Sequence, residues 1–219
     1  MATKIKICGV TRAADAARVA AAGAEFLGLN FWPSSRRYLA IERAPAVAAA
    51  ARGAGAVQLV GVFVNAALAE IVAAVHAAGL EVVQLHGDET PDDAAAIARA
   101  TGRAVWKALA VAGPDDLAGL ERWPADALLF DAPAAGRGGA GKVFDWSLAL
   151  GARRRYPERR LVLAGGLTPH NVAAAIAAVA PWAVDVASGV ESAPGIKDPG
   201  KLAAFIAAIR AREPAAPGA

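Results

Sequence analysis

The sequence predicts a single α/β domain closed into a (β/α)8 TIM barrel, and three observations carry that expectation. Short apolar strands alternate with alanine-rich helices eight times between Lys4 and Arg212. Strand after strand is apolar on both faces, as when a parallel sheet is covered on each side. The chain has 219 residues, enough for one barrel near its lower size limit and too few for a second domain. An open doubly wound sheet is the competing architecture. It usually carries Gly-x-Gly-x-x-Gly after its first strand, and Cys8-Gly9-Val10-Thr11-Arg12 does not match. The expected division is a barrel over residues 1–212 and a disordered tail over 213–219.

The first strand, Lys4-Ile5-Lys6-Ile7-Cys8, ends on the only cysteine and breaks at Gly9. Side chains alternate along a strand, so Lys4, Lys6 and Cys8 share one face while Ile5 and Ile7 share the other. A helix over 13–22 stops at Gly23, a helix-ending residue. A strand over 25–31 is cut off by Pro33, and a basic loop follows over 32–38. Then come a helix over 42–52, a buried strand over 57–64, a helix over 66–78 closed by Gly79, and a strand over 80–86. Thr90 at the N-cap and Pro91 at the first helical position open the next helix. The pattern continues with a strand over 104–109, a helix over 114–121 and a strand over 126–131. A glycine-rich loop over 136–142 leads to a short helix over 146–152. Strands over 160–164 and 183–187, with helices over 169–179 and 199–212, complete eight units.

Composition excludes several classes of function. One cysteine rules out an internal disulfide framework and a cysteine-based zinc site, and three scattered histidines offer no ligand spacing, so no metal is expected. The net charge is +3, and the longest basic run, Arg153-Arg154-Arg155, reads as a solvated helix end and not as a nucleic-acid patch. The N-terminus shows no apolar run with a cleavage site, and charged and polar residues interrupt the apolar stretch over 44–80, so neither a leader nor a membrane span is expected. A cytoplasmic protein that binds neither nucleic acid nor membrane is the reading.

In a barrel of this kind the chemistry sits at the carboxyl ends of the strands. The polar residues there are Cys8, Asn30 with Arg36 and Arg37 beyond it, Asn65, Gln84 with His86, Lys107 and Asp131. Two glycine turns follow the last strands, Gly165-Gly166 and Ser188-Gly189. Glycine lets backbone N–H groups approach an anion closely, and this position in barrels commonly holds a phosphate. The loop Gly138-Gly139-Ala140-Gly141-Lys142 lacks the spacing of a nucleotide-binding P-loop. Lys6 faces the barrel interior and needs a partner there. Asp185, on the strand that closes against the first, is the expected one.

Seven segments in register then resemble one family. They are Lys6-Ile7-Cys8-Gly9-Val10-Thr11, the run from Pro33 through Ser35-Arg36-Arg37-Tyr38, Val60-Gly61-Val62-Phe63-Val64-Asn65, Val83-Gln84-Leu85-His86-Gly87, Gly138-Gly139-Ala140-Gly141-Lys142 with Phe144-Asp145-Trp146, Gly165-Gly166-Leu167-Thr168-Pro169-His170-Asn171, and Ser188-Gly189-Val190-Glu191. Together they resemble phosphoribosylanthranilate isomerase. The resemblance implies an Amadori rearrangement in tryptophan biosynthesis that needs no cofactor, with N-(5-phosphoribosyl)anthranilate becoming 1-(2-carboxyphenylamino)-1-deoxyribulose 5-phosphate.

It also implies roles. Cys8 corresponds to the general base, Asp131 to the general acid, and Arg37 to the residue holding the anthranilate carboxylate. Arg36 is an adjacent competitor, but Arg37 precedes Tyr38 in the family's Ser-x-Arg-Tyr pattern, which begins here at Ser35. Gln84 and His86 are expected to contact substrate, and Gly165, Gly166, Ser188 and Gly189 to bind its phosphate. Activity should fall in acid as the base takes up its proton and in alkali as the acid loses one. A thiol needs a nearby cation to ionise near neutrality, and Lys6 is the candidate. The chain departs from the family at Phe130-Asp131-Ala132, where Leu-Asp-Thr/Ser is common, and at Ala164 and Ala187, which replace small hydroxyl residues. Rival readings are indole-glycerol-phosphate synthase, which wants a Lys and Glu pair, tryptophan synthase α, which wants paired carboxylates, a metal-dependent epimerase, and a non-catalytic barrel that binds a phosphorylated ligand. The expected partner is a phosphorylated small molecule, and the expected assembly is a monomer or a homodimer.

Overall fold

The computed structural model describes residues 2–132 and 144–211. The expected tail over 213–219 and the glycine-rich loop over 136–142 lie outside the described residues. Eight parallel strands close into a barrel in sequence order: β1 (Lys4–Cys8), β2 (Phe26–Asn30), β3 (Gln58–Phe63), β4 (Val82–Leu85), β5 (Ala104–Ala110), β6 (Ala127–Asp131), β7 (Leu161–Leu163) and β8 (Ala183–Val186). Closure is made by β1 against β8, with Lys4 opposite Ala183 and Lys6 opposite Asp185.

The two-residue period of the strands divides the core into two shells. The outer shell takes Ile5, Ile7, Leu27, Leu29, Val105 and Phe130, among others, and packs them under the helices. A separate inner cluster holds Phe26, Val60, Val82, Trp106, Leu129 and Val162 inside the barrel. The inner face therefore continues upward through the alternate positions to Cys8, Gly28, Gln84 and Asp131, and this places chemistry at the mouth.

The floor of the barrel is aromatic. Trp106 meets Phe26 edge-on at 4.8 Å between ring centroids, and Trp182 edge-on at 5.5 Å. The Lys4 ammonium lies 5.1 Å from the Trp182 ring, a cation–π contact that accommodates its charge. Around the rim of the floor, a carboxylate just before each of three strands accepts the second amide of the preceding strand. Glu25 binds Ile5 N–H at 2.8 Å, Glu81 binds Leu59 N–H at 2.7 Å, and Asp126 binds Val105 N–H at 2.8 Å. These bonds satisfy strand-end donors that would otherwise be buried unpaired.

Seven α-helices are described: α1 (Ala13–Ala21), α2 (Ala44–Ala54), α3 (Leu68–Ala78), α4 (Pro91–Thr101), α5 (Trp146–Arg155), α6 (Val172–Val179) and α7 (Pro199–Arg210). As expected, Thr90 caps α4, its side chain accepting the Asp93 N–H. The basic run Arg153-Arg154-Arg155 forms the exposed last turn of α5. Two helix expectations need correction. The segment expected as one helix over 114–121 is two 3-10 turns, Pro114–Leu117 and Leu120–Arg122, separated by Gly119 at φ +78°. A left-handed glycine interrupts any α-helical run. The helix expected from Pro169 begins at Val172, because the Asn171 side chain bonds Thr168 N–H and the Gly166 carbonyl and holds that segment as a turn. The structure also adds an unanticipated hairpin after β8, formed by β9 (Glu191–Ala193) and β10 (Ile196–Lys197).

The pairing expected inside the barrel is present, with Lys6 Nζ 2.9 Å from Asp185 Oδ1 and the lysine side chain fully buried. Burial alone would depress the ammonium's pKa, but Asp185 and Cys8 together outweigh it and raise that pKa above the usual lysine value. Removing the carboxylate orphans a buried cation. Asp185→Ala should therefore lower the unfolding free energy in urea by about 3 to 5 kcal/mol, and a variant as stable as the parent would show that Lys6 needs no partner.

Candidate active site

Cys8 closes β1 and keeps part of its side chain open at the mouth. Its neighbour in register on β2 is Gly28, where a Cβ would come within 2.8 Å of the Cys8 sulfur, so this strand position must be bare for the thiol to sit where it does. Lys6 is beside Cys8, as expected, but it does not produce an acidic thiol. Burial pushes the thiol's pKa up. Lys6 pulls it back, Asp185 pushes it up again, and Lys197 pulls against both, with the net result above the ordinary value. Lys6 acts in the expected direction, favouring the thiolate, but burial and Asp185 outweigh it, so the thiol is not acidic.

Asp131 ends β6 on the same inward face as Leu129. Its Oδ1 accepts the Ala132 N–H at 2.8 Å, and its Oδ2 lies 3.7 Å from His86 Nε2. Burial, and then the Asp185 carboxylate, push its pKa up to about 6, against the Ala132 N–H bond and Lys6. Asp185 thus raises the pKa of both Cys8 and Asp131. Gln84, buried on β4, contacts His86 Nδ1 through its amide nitrogen at 3.1 Å, while its Oε1 has no hydrogen-bond partner among the described residues. A cavity of about 320 Å³ opens beside this group, with Asp131 and His86 in its wall.

Of the two adjacent arginines, Arg36 is exposed, whereas Arg37 turns back over the mouth. It lies on Gly9, whose φ of +71° and missing Cβ leave room for the arginine's methylenes. Its Nε and Nη2 grip Glu191 in a two-point ion pair, with Nη2 2.7 Å from Oε2 and Nε 2.9 Å from Oε1. Sequence reasoning gave Glu191 no role. The Lys197 ammonium that shares this carboxylate at 2.8 Å was not singled out at all. The signal for the hairpin joining them was Pro194-Gly195, a strong turn pair.

The glycine turns after β7 and β8 come together at one side of the mouth. Gly165 and Gly166 adopt φ of +79° and +67°. A Cβ on Gly189 would run into the Leu167 carbonyl, so the second turn fits against the first only as glycine. Among the described residues, neither the Gly165 nor the Gly166 N–H has a hydrogen-bond partner. Two strand-end residues expected at the mouth brace its rim, and Lys107 shares the wall of the cavity beside Asp131. Lys107 points outward and binds the Gly87 carbonyl and Glu89, both at 2.7 Å. Asn65, at φ +51°, donates its N–H to the same Glu89 at 2.8 Å and accepts the Asp88 N–H through its side chain. Both fasten loops.

The profile of the N-(5'-phosphoribosyl)anthranilate (PRA) isomerase family matches residues 5–208. The chain belongs to the phosphoribosylanthranilate isomerase family. The isomerase of that name from Myxococcus xanthus is 46% identical over 215 residues, covering 96% of this chain and 97% of its own. A structure of monomers of the dimeric isomerase from Thermotoga maritima superposes with a TM-score of 0.82 at 38% identity, covering 95% of this chain and 99% of that one. A phosphoribosylanthranilate isomerase in complex with reduced 1-(o-carboxyphenylamino)-1-deoxyribulose 5-phosphate superposes with a TM-score of 0.83 at 37% identity and the same coverage. The chain is accordingly an isomerase of tryptophan biosynthesis that converts N-(5-phosphoribosyl)anthranilate to 1-(2-carboxyphenylamino)-1-deoxyribulose 5-phosphate. Among the described residues, no helix is long and apolar enough to cross a membrane.

The position of Asp131 has a stability consequence with a definite sign. Its folded pKa of about 6 exceeds an unfolded value of roughly 3.9, so ionised Asp131 is disfavoured in the fold. That cost is present in full above pH 6, shrinks as pH falls from 6 to 4, and is absent below. The isomerase variant Asp131→Asn keeps the bond to Ala132 N–H, so it should be about 2 to 3 kcal/mol more stable than the parent at pH 7.5 and equal to it near pH 4. Paired urea titrations at the two pH values check this, and an Asn variant less stable at pH 7.5 would contradict it.

Proposed function

We propose that Cys8 is the general base and Asp131 the general acid of the rearrangement, with Arg37 holding the anthranilate carboxylate and the two glycine turns holding the phosphate. The observation that carries this reading is the raised pKa of Asp131, which brings the titration of a buried carboxylic acid up to about 6, within reach of neutrality. The acid delivers that proton to the ring oxygen as the bond from the anomeric carbon to that oxygen breaks. The aniline nitrogen supplies the electron pair and becomes an iminium. The base then removes the proton from C2, and the electrons of that C–H bond form the enolamine. Tautomerisation completes the change as C1 gains a proton and the C2 hydroxyl loses one. C1 is reduced and C2 oxidised within one molecule, so the reaction balances without an external electron carrier.

His86 and Gln84 support this assignment by their place beside the acid, where the ring nitrogen of His86 lies 3.7 Å from Asp131. The Gly165 and Gly166 N–H groups, which have no hydrogen-bond partner among the described residues, support the phosphate site. The assembly is a monomer or a homodimer working in the cytoplasm, and the Thermotoga maritima relative is described as dimeric.

The resting order of the two pKa values shapes the pH dependence. Asp131 titrates near 6 and Cys8 above the ordinary thiol range, so thiolate with carboxylic acid is the minor of the two forms that carry one proton. Its share is constant between the two pKa values and declines outside them. kcat/KM should be flat across neutrality, bend down below about pH 6 and bend down again in alkali. The acid limb still reports loss of the thiolate, yet it breaks where Asp131 titrates.

The roles are tested by substitution and steady-state kinetics. Cys8→Ser and Asp131→Asn should each lower kcat by at least roughly 100- to 10,000-fold in folded protein. Arg37→Ala should chiefly raise KM, because a charge-assisted contact to the carboxylate operates in ground and transition states alike. Near-parental turnover by Cys8→Ser would move the base to His86.

A further inference from the structure

Arg37 is held by a buried charge network that the assigned roles do not use. The Glu191 carboxylate, 4% exposed, accepts Arg37 Nε at 2.9 Å and Nη2 at 2.7 Å, Lys197 Nζ at 2.8 Å, and the Gly195 N–H at 3.2 Å. Lys197, also buried, donates further to the Cys8 carbonyl at 2.6 Å and the Ala187 carbonyl at 3.3 Å. One ammonium thus ties together the end of β1, the chain just past β8, and Glu191. The hairpin that carries both residues is fastened to the chain after β1, where Thr11 Oγ1 donates to the Gly195 carbonyl at 2.7 Å and Lys197 N–H to Asp15 at 3.2 Å.

The geometry points to Glu191 as the positioning residue that fixes Arg37 relative to Cys8, so that the substrate's carboxylate is bound at a set distance from the thiol. This inference rests on the proposed role of Arg37. A guanidinium offers two edges for two-point carboxylate binding. Glu191 occupies the Nε/Nη2 edge, and among the described residues nothing bonds Nη1, which leaves the Nη1/Nη2 edge for a second carboxylate. Glu191 does not neutralise the site, because two cations, Arg37 and Lys197, share its single negative charge. The trio keeps a net positive charge with which to attract an anion. Lys197 anchors the clamp to the backbone of Cys8 itself, so base and carboxylate holder share one rigid frame.

The test separates positioning from plain charge balance. Glu191→Asp keeps the negative charge that Lys197 needs but retracts the carboxylate by one methylene, so Arg37 must follow or lose its grip. KM for phosphoribosylanthranilate should rise about tenfold, the lower end of what a charge-assisted hydrogen bond contributes, while kcat falls less than threefold. Glu191→Gln should act in the same direction, with circular dichroism confirming its fold. In a double-mutant cycle, Glu191→Asp added to Arg37→Ala should raise KM no further than Arg37→Ala alone, because Glu191 acts through the arginine. Parental KM in Glu191→Asp, or effects that multiply in the double mutant, would overturn the inference and leave the role of Arg37 intact. An unchanged KM in Arg37→Ala alone would overturn the role of Arg37 and this inference together.

Discussion

The ion pair between Lys6 and Asp185 inside the barrel is the constraint on which the mouth depends. It spans the seam where β1 closes against β8, and both partners lie one layer below the chemistry. A charge pair in this position does not earn its place by stability, because burying two ions costs about as much as their attraction returns. Its influence is electrostatic and local. Asp185 raises the pKa of both Cys8 and Asp131, whereas Lys6 lowers both. The pair sets the proton affinities of two groups on different strands from a single point between them.

Much of this was legible in the sequence because alternation along a strand is a strong constraint. Once Ile5 and Ile7 are assigned to the helices, Lys6 and Cys8 must face inward, and a buried lysine next to β8 must find Asp185. Asp131 follows from the same rule applied to β6. Lys107 shows where position along the chain misleads: it stands near a strand end, but its neighbour Trp106 fills the barrel floor, so the lysine is on the outer face. Parity applied to β5 places Lys107 on the outer face of the strand, from where it reaches the rim.

The features missed from the sequence are those built by contacts distant along the chain. Glu191 and Lys197 are separated from Arg37 by more than 150 residues, and no local pattern shows that they meet. Glu89 is similar, one carboxylate taking the Lys107 ammonium and the N–H groups of Asn65 and Gly87. Each of these buried carboxylates binds one or two cations together with backbone donors, and each joins loops from different strands. The mouth is thus braced at two places on its rim, one behind Arg37 and one beside Asp131. The pKa of a thiol beside several charges was equally hidden, because burial and Asp185 outweigh two lysines only at the distances the fold provides.

A site of this kind is tolerable because the barrel has a large margin elsewhere. Keeping Asp131 ionised near neutrality costs about 2 to 3 kcal/mol, comparable to what full burial of one or two large aliphatic side chains contributes. The outer shell under the helices holds dozens of such side chains. Stability and activity are therefore carried by opposite faces of the same strands. Alternation lets a strand such as β6 keep Phe130 fully buried beneath the helices while Asp131, the next residue, faces the mouth.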